Sequence, residues 1–212
     1  MDIDQEAVLR RYAAAVEDAH TELTALDRHS GDGDFGDNLR GGLREAVARY
    51  DRPDRAGGKA LGTLGDVFLD EVGGTSGPLL GLLFTEIAHA LDAGGDPVAA
   101  FADGTAAGLA AIQRVGEAEV GDRTLVDALA PAADALRAGG GGALASAAAA
   151  AADGAAATAG LRARMGRASY IGDRVKGERD PGAVGVALFF WAVATVADPS
   201  ADVPAPIGSA TP

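Results

Sequence analysis

The chain predicts an all-α fold, an eight-helix antiparallel bundle of the up-and-down kind, and three observations carry that expectation. Aromatic residues make up only 5% of the sequence, β-branched residues are sparse and alanine is abundant, which favours helix over strand almost throughout. Apolar residues recur at spacings of three or four in one segment after another. The segments are joined by short connections rich in glycine and proline, which make consecutive helices antiparallel neighbours.

The first helix is expected from about Asp4 to Asp27, with Leu9, Ala13, Val16, His20 and Leu23 on its inner face. A glycine-rich loop separates it from the second, from about Gly36 to Arg52, which Pro53 helps to stop. The third runs from about Lys59 to Val72. The fourth follows Gly73-Gly74-Thr75-Ser76-Gly77-Pro78, where a hydroxyl can cap and proline suits the first turn, and Leu80, Phe84, Ile87 and Leu91 form its apolar stripe. Asp96-Pro97 opens the fifth helix, reaching about Val115, and Thr124 opens the sixth. The seventh follows Gly139 to Gly142 and contains the alanine run 147–152, read as tight helix packing. The eighth begins at Asp180-Pro181-Gly182, and its stretch from Ala183 to Ala197 has no charge; it is too short to cross a bilayer and reads as a buried core helix. Residues 198–212, rich in proline, serine and alanine, read as a disordered tail, leaving 1–197 as one domain.

Composition narrows the function. Thirty-one Asp and Glu against 18 Lys and Arg give a net charge of -13, which argues against nucleic acid as a partner. The absence of cysteine removes disulfides, thiolate metal sites and cysteine nucleophiles, and three histidines leave little for imidazole ligation. Neither a signal peptide nor an apolar run of membrane-spanning length is present, so a cytoplasmic location is expected. Glycine, at 31 of 212 residues, is about twice its usual ~7%.

Two glycine-rich segments carry chemistry. In Leu26-Asp27-Arg28-His29-Ser30-Gly31-Asp32-Gly33-Asp34-Phe35-Gly36-Asp37-Asn38, four carboxylates crowd together among three glycines. Such crowding is relieved by solvent, by protonation or by a hard cation with oxygen ligands. An EF-hand is excluded, because Gly36 stands at the third ligand position and Leu43 where the closing glutamate belongs. Another calcium loop and a solvated acidic turn stay open beside magnesium, which takes few carboxylates and completes its shell with water and phosphate. Gly73-Gly74-Thr75-Ser76-Gly77 offers clustered N–H groups, two hydroxyls and a helix N-terminus, an anion site without lysine; a plain helix cap explains it as well. It is neither a Walker A loop nor a dinucleotide fingerprint. Residues 162–176 form the densest basic stretch and can neutralise phosphate or compensate a helix dipole.

Together LDRHSGDGDFGDNL, GGTSGPLLG, GDRTLVDALAP, GRASYIGDRVKG and DPGA, in that order over about residues 5 to 197, resemble the nucleotide-binding L subunit of dihydroxyacetone kinase, also found as the C-terminal domain of single-chain forms. The resemblance implies an eight-helix antiparallel barrel with an adenine nucleotide, ADP or ATP, and two Mg²⁺ at one end. It implies that Asp27, Asp32 and Asp34, at relative positions 0, +5 and +7, hold the metal ions. Phe35, Gly36, Asp37 and Asn38 would lie along the phosphates, and Thr75 and Ser76 would bind phosphate. Gly116, Thr124 and Leu125 would border the base, with Arg167 and Asp180, Pro181 and Gly182 closing over it. Phe35 and Glu178 stand where family members often carry histidine.

The activity so implied is phosphoryl transfer to a hydroxyketone, dihydroxyacetone or another short sugar, held by a histidine of a separate K subunit; this chain alone would be inactive. The nucleotide would exchange as ATP, or stay as ADP and be rephosphorylated by a phosphotransferase-system phosphocarrier, the motifs leaning slightly to the second mode. A homodimer is left open, as is a non-catalytic nucleotide or metal sensor on the same bundle.

Overall fold

The computed structural model describes residues 3–53 and 58–207 of the chain. Among these residues all regular structure is helical, and eight long helices are present: α1 (Gln5–Ser30), α2 (Phe35–Tyr50), α3 (Ala60–Asp70), α4 (Ser76–Asp92), α5 (Pro97–Gly116), α6 (Val126–Ala138), α7 (Ala143–Ala157) and, after the single turn α8 (Ala168–Ile171), α9 (Pro181–Ala197). The start signals act as expected at three of them. Asp4, Asp96 and Asp180 each accept a hydrogen bond from the backbone N–H three residues on, and Pro97 and Pro181 occupy first-turn positions where no N–H is needed.

Each long helix packs on the next in sequence, α7 passes the chain to α9, and α9 returns to α1, so the ring closes. This is the antiparallel up-and-down barrel. The uncharged α9 explains how it is filled: every residue from Pro181 to Ala194 is buried. Phe189 packs its ring against Tyr12, Phe84 and Phe101 at centroid distances of 5.5, 5.2 and 6.2 Å, and the Tyr12 hydroxyl donates to the Gly185 carbonyl at 3.0 Å. That bond satisfies the one polar atom the aromatic cluster buries; burial also pushes the Tyr12 phenol far above its ordinary pKa.

Many glycines lie inside helices, at the seams between them. A Cβ on Gly104 of α5 would stand 2.6 Å from Ile87 Cα of α4, and one on Gly65 of α3 would stand 2.5 Å from Thr85 Oγ1 of α4. The barrel wall is drawn tight by residues that have no side chain.

The tail departs from expectation over its described part. The Trp191 indole donates to the Val203 carbonyl at 2.9 Å, Arg179 donates to the Pro206 carbonyl at 2.7 Å, and Ile207 is only 4% exposed. Residues 198–207 therefore run back over α9 as a packed strap, because the indole edge and a buried isoleucine give it partners that a composition count does not register. Residues 208–212 lie outside the described residues. No helix among the described residues is long and apolar enough to cross a membrane.

If the seam glycines set the helix spacing, Gly104→Ala should lower stability by about 1–3 kcal/mol through overpacking, read as a shift in the urea midpoint with helix content unchanged.

Candidate functional site

Up-and-down connectivity brings the α1–α2, α3–α4, α5–α6 and α7–α9 connections to one end of the barrel, and all four contribute to the walls of a single cavity of about 230 Å³. α2, α4, α6 and α9 begin there, so four helix N-termini surround it. Of the sixteen residues the sequence singles out, the cavity is lined by Asp27, Asp32, Asp34, Phe35, Asn38, Thr75, Ser76, Gly116, Thr124, Leu125, Arg167, Asp180, Pro181 and Gly182. Gly36 and Asp37 are not in its lining. Asp37 turns outward to pair with His20 Nε2 and Arg40, each at 2.8 Å, contacts that hold its carboxyl below the usual range. Gly36 instead faces α1, where a Cβ would collide with Thr24 and stand 3.1 Å from the His20 carbonyl. The missing side chain of Gly36 thus lets α2 pack closely on α1.

The acidic loop is shaped around Asp27, which lies in the last turn of α1 and is 9% exposed. Its Oδ2 accepts from the Phe35 N–H at 3.0 Å, so the carboxylate itself starts α2. Its Oδ1 lies so close to Gly31 that any Cβ there would overlap it. Asp32 forms an ion pair across the cavity with Arg167, on the α7–α9 connection. As placed, the carboxylates have not converged: among the described residues no group of three acidic or histidine side chains is close enough to hold an ion. The donors nevertheless fit a hard cation in type, being all oxygen, and the backbone at Gly31 is cut away to admit one of them.

The α4 loop differs from the simplest sequence reading. Thr75 makes no side-chain cap, so the hydroxyls of Thr75 and Ser76 and the first-turn N–H groups face the cavity without that partner. At the α5–α6 connection the loop is held by Asp127, which accepts from Gly121 N at 2.5 Å and Thr124 N at 2.8 Å. Pro131 supplies no N–H to the Asp127 carbonyl one turn earlier, and Gly154 of α7 packs against that turn. Asp122 ties the same loop to Arg164, accepting from its side chain at 3.2 Å while its own carbonyl accepts the Arg164 N–H at 3.1 Å.

Sequence reasoning missed Arg123 as a cavity residue. It is 1% exposed, has φ of +61°, and donates through one guanidinium nitrogen to the Glu178 and Arg179 carbonyls at 2.8 and 3.3 Å. Its place inside GDRTLVDALAP was visible; that a surface-prone residue turns inward was not. Facing it, 3.9 Å away, Asp180 is pushed up to about 6 by burial. Four carboxylates and two guanidinium groups thus line the cavity, an acidic balance that a cation accompanying a phosphate would offset.

Fold and site together define an all-helical barrel with a charged cavity at one end. Residues 29–195 match the DAK2 domain. The chain is 32% identical over 197 residues to the PEP-dependent dihydroxyacetone kinase 1, ADP-binding subunit DhaL, of Listeria innocua, covering 91% of this chain and 97% of that subunit. It is 38% identical over 195 residues to the L-erythrulose 1-kinase of Mycolicibacterium smegmatis, covering 88% of this chain but only 34% of that protein. Among solved structures, the dihydroxyacetone kinase of C. freundii in complex with AMP-PNP and Mg²⁺ superposes with a TM-score of 0.67 at 31% identity, covering 90% of this chain and 33% of that one. The chain thus spans about a third of the two longer kinases. It belongs to the DAK2 domain family and is similar over nearly its whole length to a DhaL-type subunit.

Because both oxygens of Asp127 are committed to loop N–H groups, Asp127→Asn, which turns one acceptor into a donor, should cost about 1–3 kcal/mol. Hydrogen exchange should show the 121–124 amides losing protection before those of α6.

Proposed function

We propose that this chain is the nucleotide-binding subunit of a dihydroxyacetone-type kinase, which passes a phosphoryl group from a magnesium-bound adenine nucleotide to a hydroxyketone held on a separate K subunit. The observation that carries the reading is the meeting of fourteen of the sixteen residues singled out from the sequence, from Asp27 to Gly182, around one cavity at the N-termini of four helices. Relatives support the ligand: the Listeria subunit is named for ADP binding, and the C. freundii kinase was crystallised with a nucleotide analogue and Mg²⁺.

Asp27, Asp32 and Asp34 are the residues that would hold magnesium, as two ions in the reading taken from the family. Bound there, the metal would supply neutralisation of phosphate charge, the main demand of phosphoryl transfer. The protein does the positioning. Asp27 is pre-set by its bond to Phe35 N. Thr75 and Ser76, which line the cavity, would with the first-turn amides of α4 fix a phosphoryl group for in-line attack. Gly116, Thr124 and Leu125 supply the wall for the base, and the Asp180–Gly182 turn and Arg167 cover it. Arg167, paired with Asp32 here, becomes available to phosphate once a cation takes that carboxylate.

The acceptor site belongs to the partner in this reading. None of His20, His29 and His89 lines the cavity, so the described residues offer no imidazole there to hold a ketone. A K subunit docked at this end would present dihydroxyacetone or a similar short ketose. Rephosphorylation of retained ADP by a phosphotransferase-system phosphocarrier would use the same opening, and a homodimer would have to leave it free.

Calorimetric titration of the purified chain with ADP, with and without Mg²⁺, tests the reading. Binding should require both, and Asp32→Ala should weaken it by at least about 100-fold, the loss of a direct metal ligand being worth several kcal/mol, with the helical circular dichroism unchanged. Equal ADP affinity in the Asp32→Ala protein would overturn the assignment.

A further inference from the structure

Arg123 is the largest fully buried side chain among the described residues, and its charge is incompletely met. One terminal nitrogen binds the Glu178 and Arg179 carbonyls, while Nε and the other terminal nitrogen have no hydrogen-bond partner. A buried unpaired guanidinium N–H is costly and calls for an explanation. The nearest acid is Asp180, at 3.9 Å, which also accepts from Ala183 N at 2.8 Å and so caps α9. Asp180 N in turn donates to Thr158 Oγ1 at 2.8 Å. Arg123 thereby bridges two of the four connections, the α5–α6 loop on which it sits and the turn that opens α9. Its left-handed backbone is maintained by the flanking bonds of Asp127 to Gly121 N and Thr124 N.

We propose that Arg123 is a positioning residue for the ligand cavity: by gripping the 178–179 carbonyls and standing opposite Asp180, it sets the place of the Asp180-Pro181-Gly182 wall relative to Thr124 and Leu125. The ligand role of that wall rests on the function proposed above; the coupling between Arg123 and Asp180 does not. The geometry has little slack, since a Cβ on Gly182 would stand 3.1 Å from Asp180 Oδ1 and 3.4 Å from Leu125 Cβ. Lysine cannot reproduce the grip, because one ammonium lacks the fork that reaches two carbonyls while facing a carboxylate.

The charged groups that act on Asp180 are Arg123, which favours its ionised form, and Asp127, which opposes it; Glu178 acts on Arg123. Burial places Asp180 at about 6, above an ordinary carboxylate. Its contribution to stability is therefore full below the unfolded-state value near 4 and is lost as pH rises through about 6. Removing the arginine charge raises the folded value further, so the loss extends toward neutral pH.

The test is a cycle of Arg123→Met, Asp180→Asn and the double variant, with Arg123→Lys as a milder change, read by thermal midpoints at pH 5 and pH 8 and by Mg·ADP titration. The midpoint deficit of Arg123→Met should be larger at pH 8 than at pH 5, and Asp180→Asn should abolish that difference. Nucleotide affinity should fall at least tenfold in Arg123→Met, with Arg123→Lys intermediate. A deficit equal at both pH values and unchanged by Asp180→Asn would reduce Arg123 to packing and overturn the proposal, as would full nucleotide affinity in Arg123→Met. If wild-type protein binds no Mg·ADP while the cycle shows coupling, the functional reading fails and the Arg123 link to the wall stands.

Discussion

The cavity end of this barrel depends on one constraint: four carboxylates line a single cavity in a chain that already carries a net charge of -13. Like charges facing one cavity repel, the more so where one of them, Asp27, is largely out of water. The structure answers with fixed positive partial charge. Four helix N-termini point at the cavity, Phe35 N binds Asp27, and Arg167 reaches over from the opposite wall to Asp32. The up-and-down topology is what delivers all four N-termini to one end.

That topology accounts for how much of the molecule is readable from sequence. The helices are legible because their signals are local: an Asp-Pro start, an apolar residue every three or four positions, a glycine stop. The uncharged run that becomes α9 reads directly as core, and its complete burial follows from having no polar face to expose. The site is legible for a different reason. Four carboxylates crowded among three glycines are a costly choice that the fold alone does not require, whereas the hydroxyls at the start of α4, which a plain cap explains as well, gain meaning only from the ordered motifs around them.

What escaped the sequence depends on partners distant in the chain. Nothing local says that Arg123 turns inward, because the carbonyls that receive it lie at 178 and 179. Asp37 looks like one more acid of the loop, yet one residue of helical rotation sends Asp37 to His20 and Arg40 while Asn38 faces the cavity. The tail reads as disordered from composition, whereas the free edge of Trp191, twelve residues before Val203, together with Arg179 and the buried Ile207, anchors the strap 198–207. Glycine also carries two meanings that composition merges. Gly33 and Gly74 adopt positive φ in the loops, whereas Gly65 and Gly104 are ordinary helical residues whose value is the missing Cβ.

Seam glycines and cavity charges are connected mechanically. A barrel wall drawn together at Gly65, Gly104 and Gly154 fixes the helix axes, and with them the helix N-termini whose partial charges face the acidic loop. Three of the four connections at the cavity end are pinned by a small number of side-chain bonds to nearby backbone: Asp27 to Phe35 N, Asp127 to Gly121 and Thr124 N, Asp180 to Ala183 N. In each case an aspartate serves the chain before it can serve a ligand. Among the described residues, Asp32 and Arg167 hold each other across the opening by their charged ends, both substantially exposed, and an exposed ion pair is worth little. The cavity is thus pinned in its walls and weakly latched at its mouth.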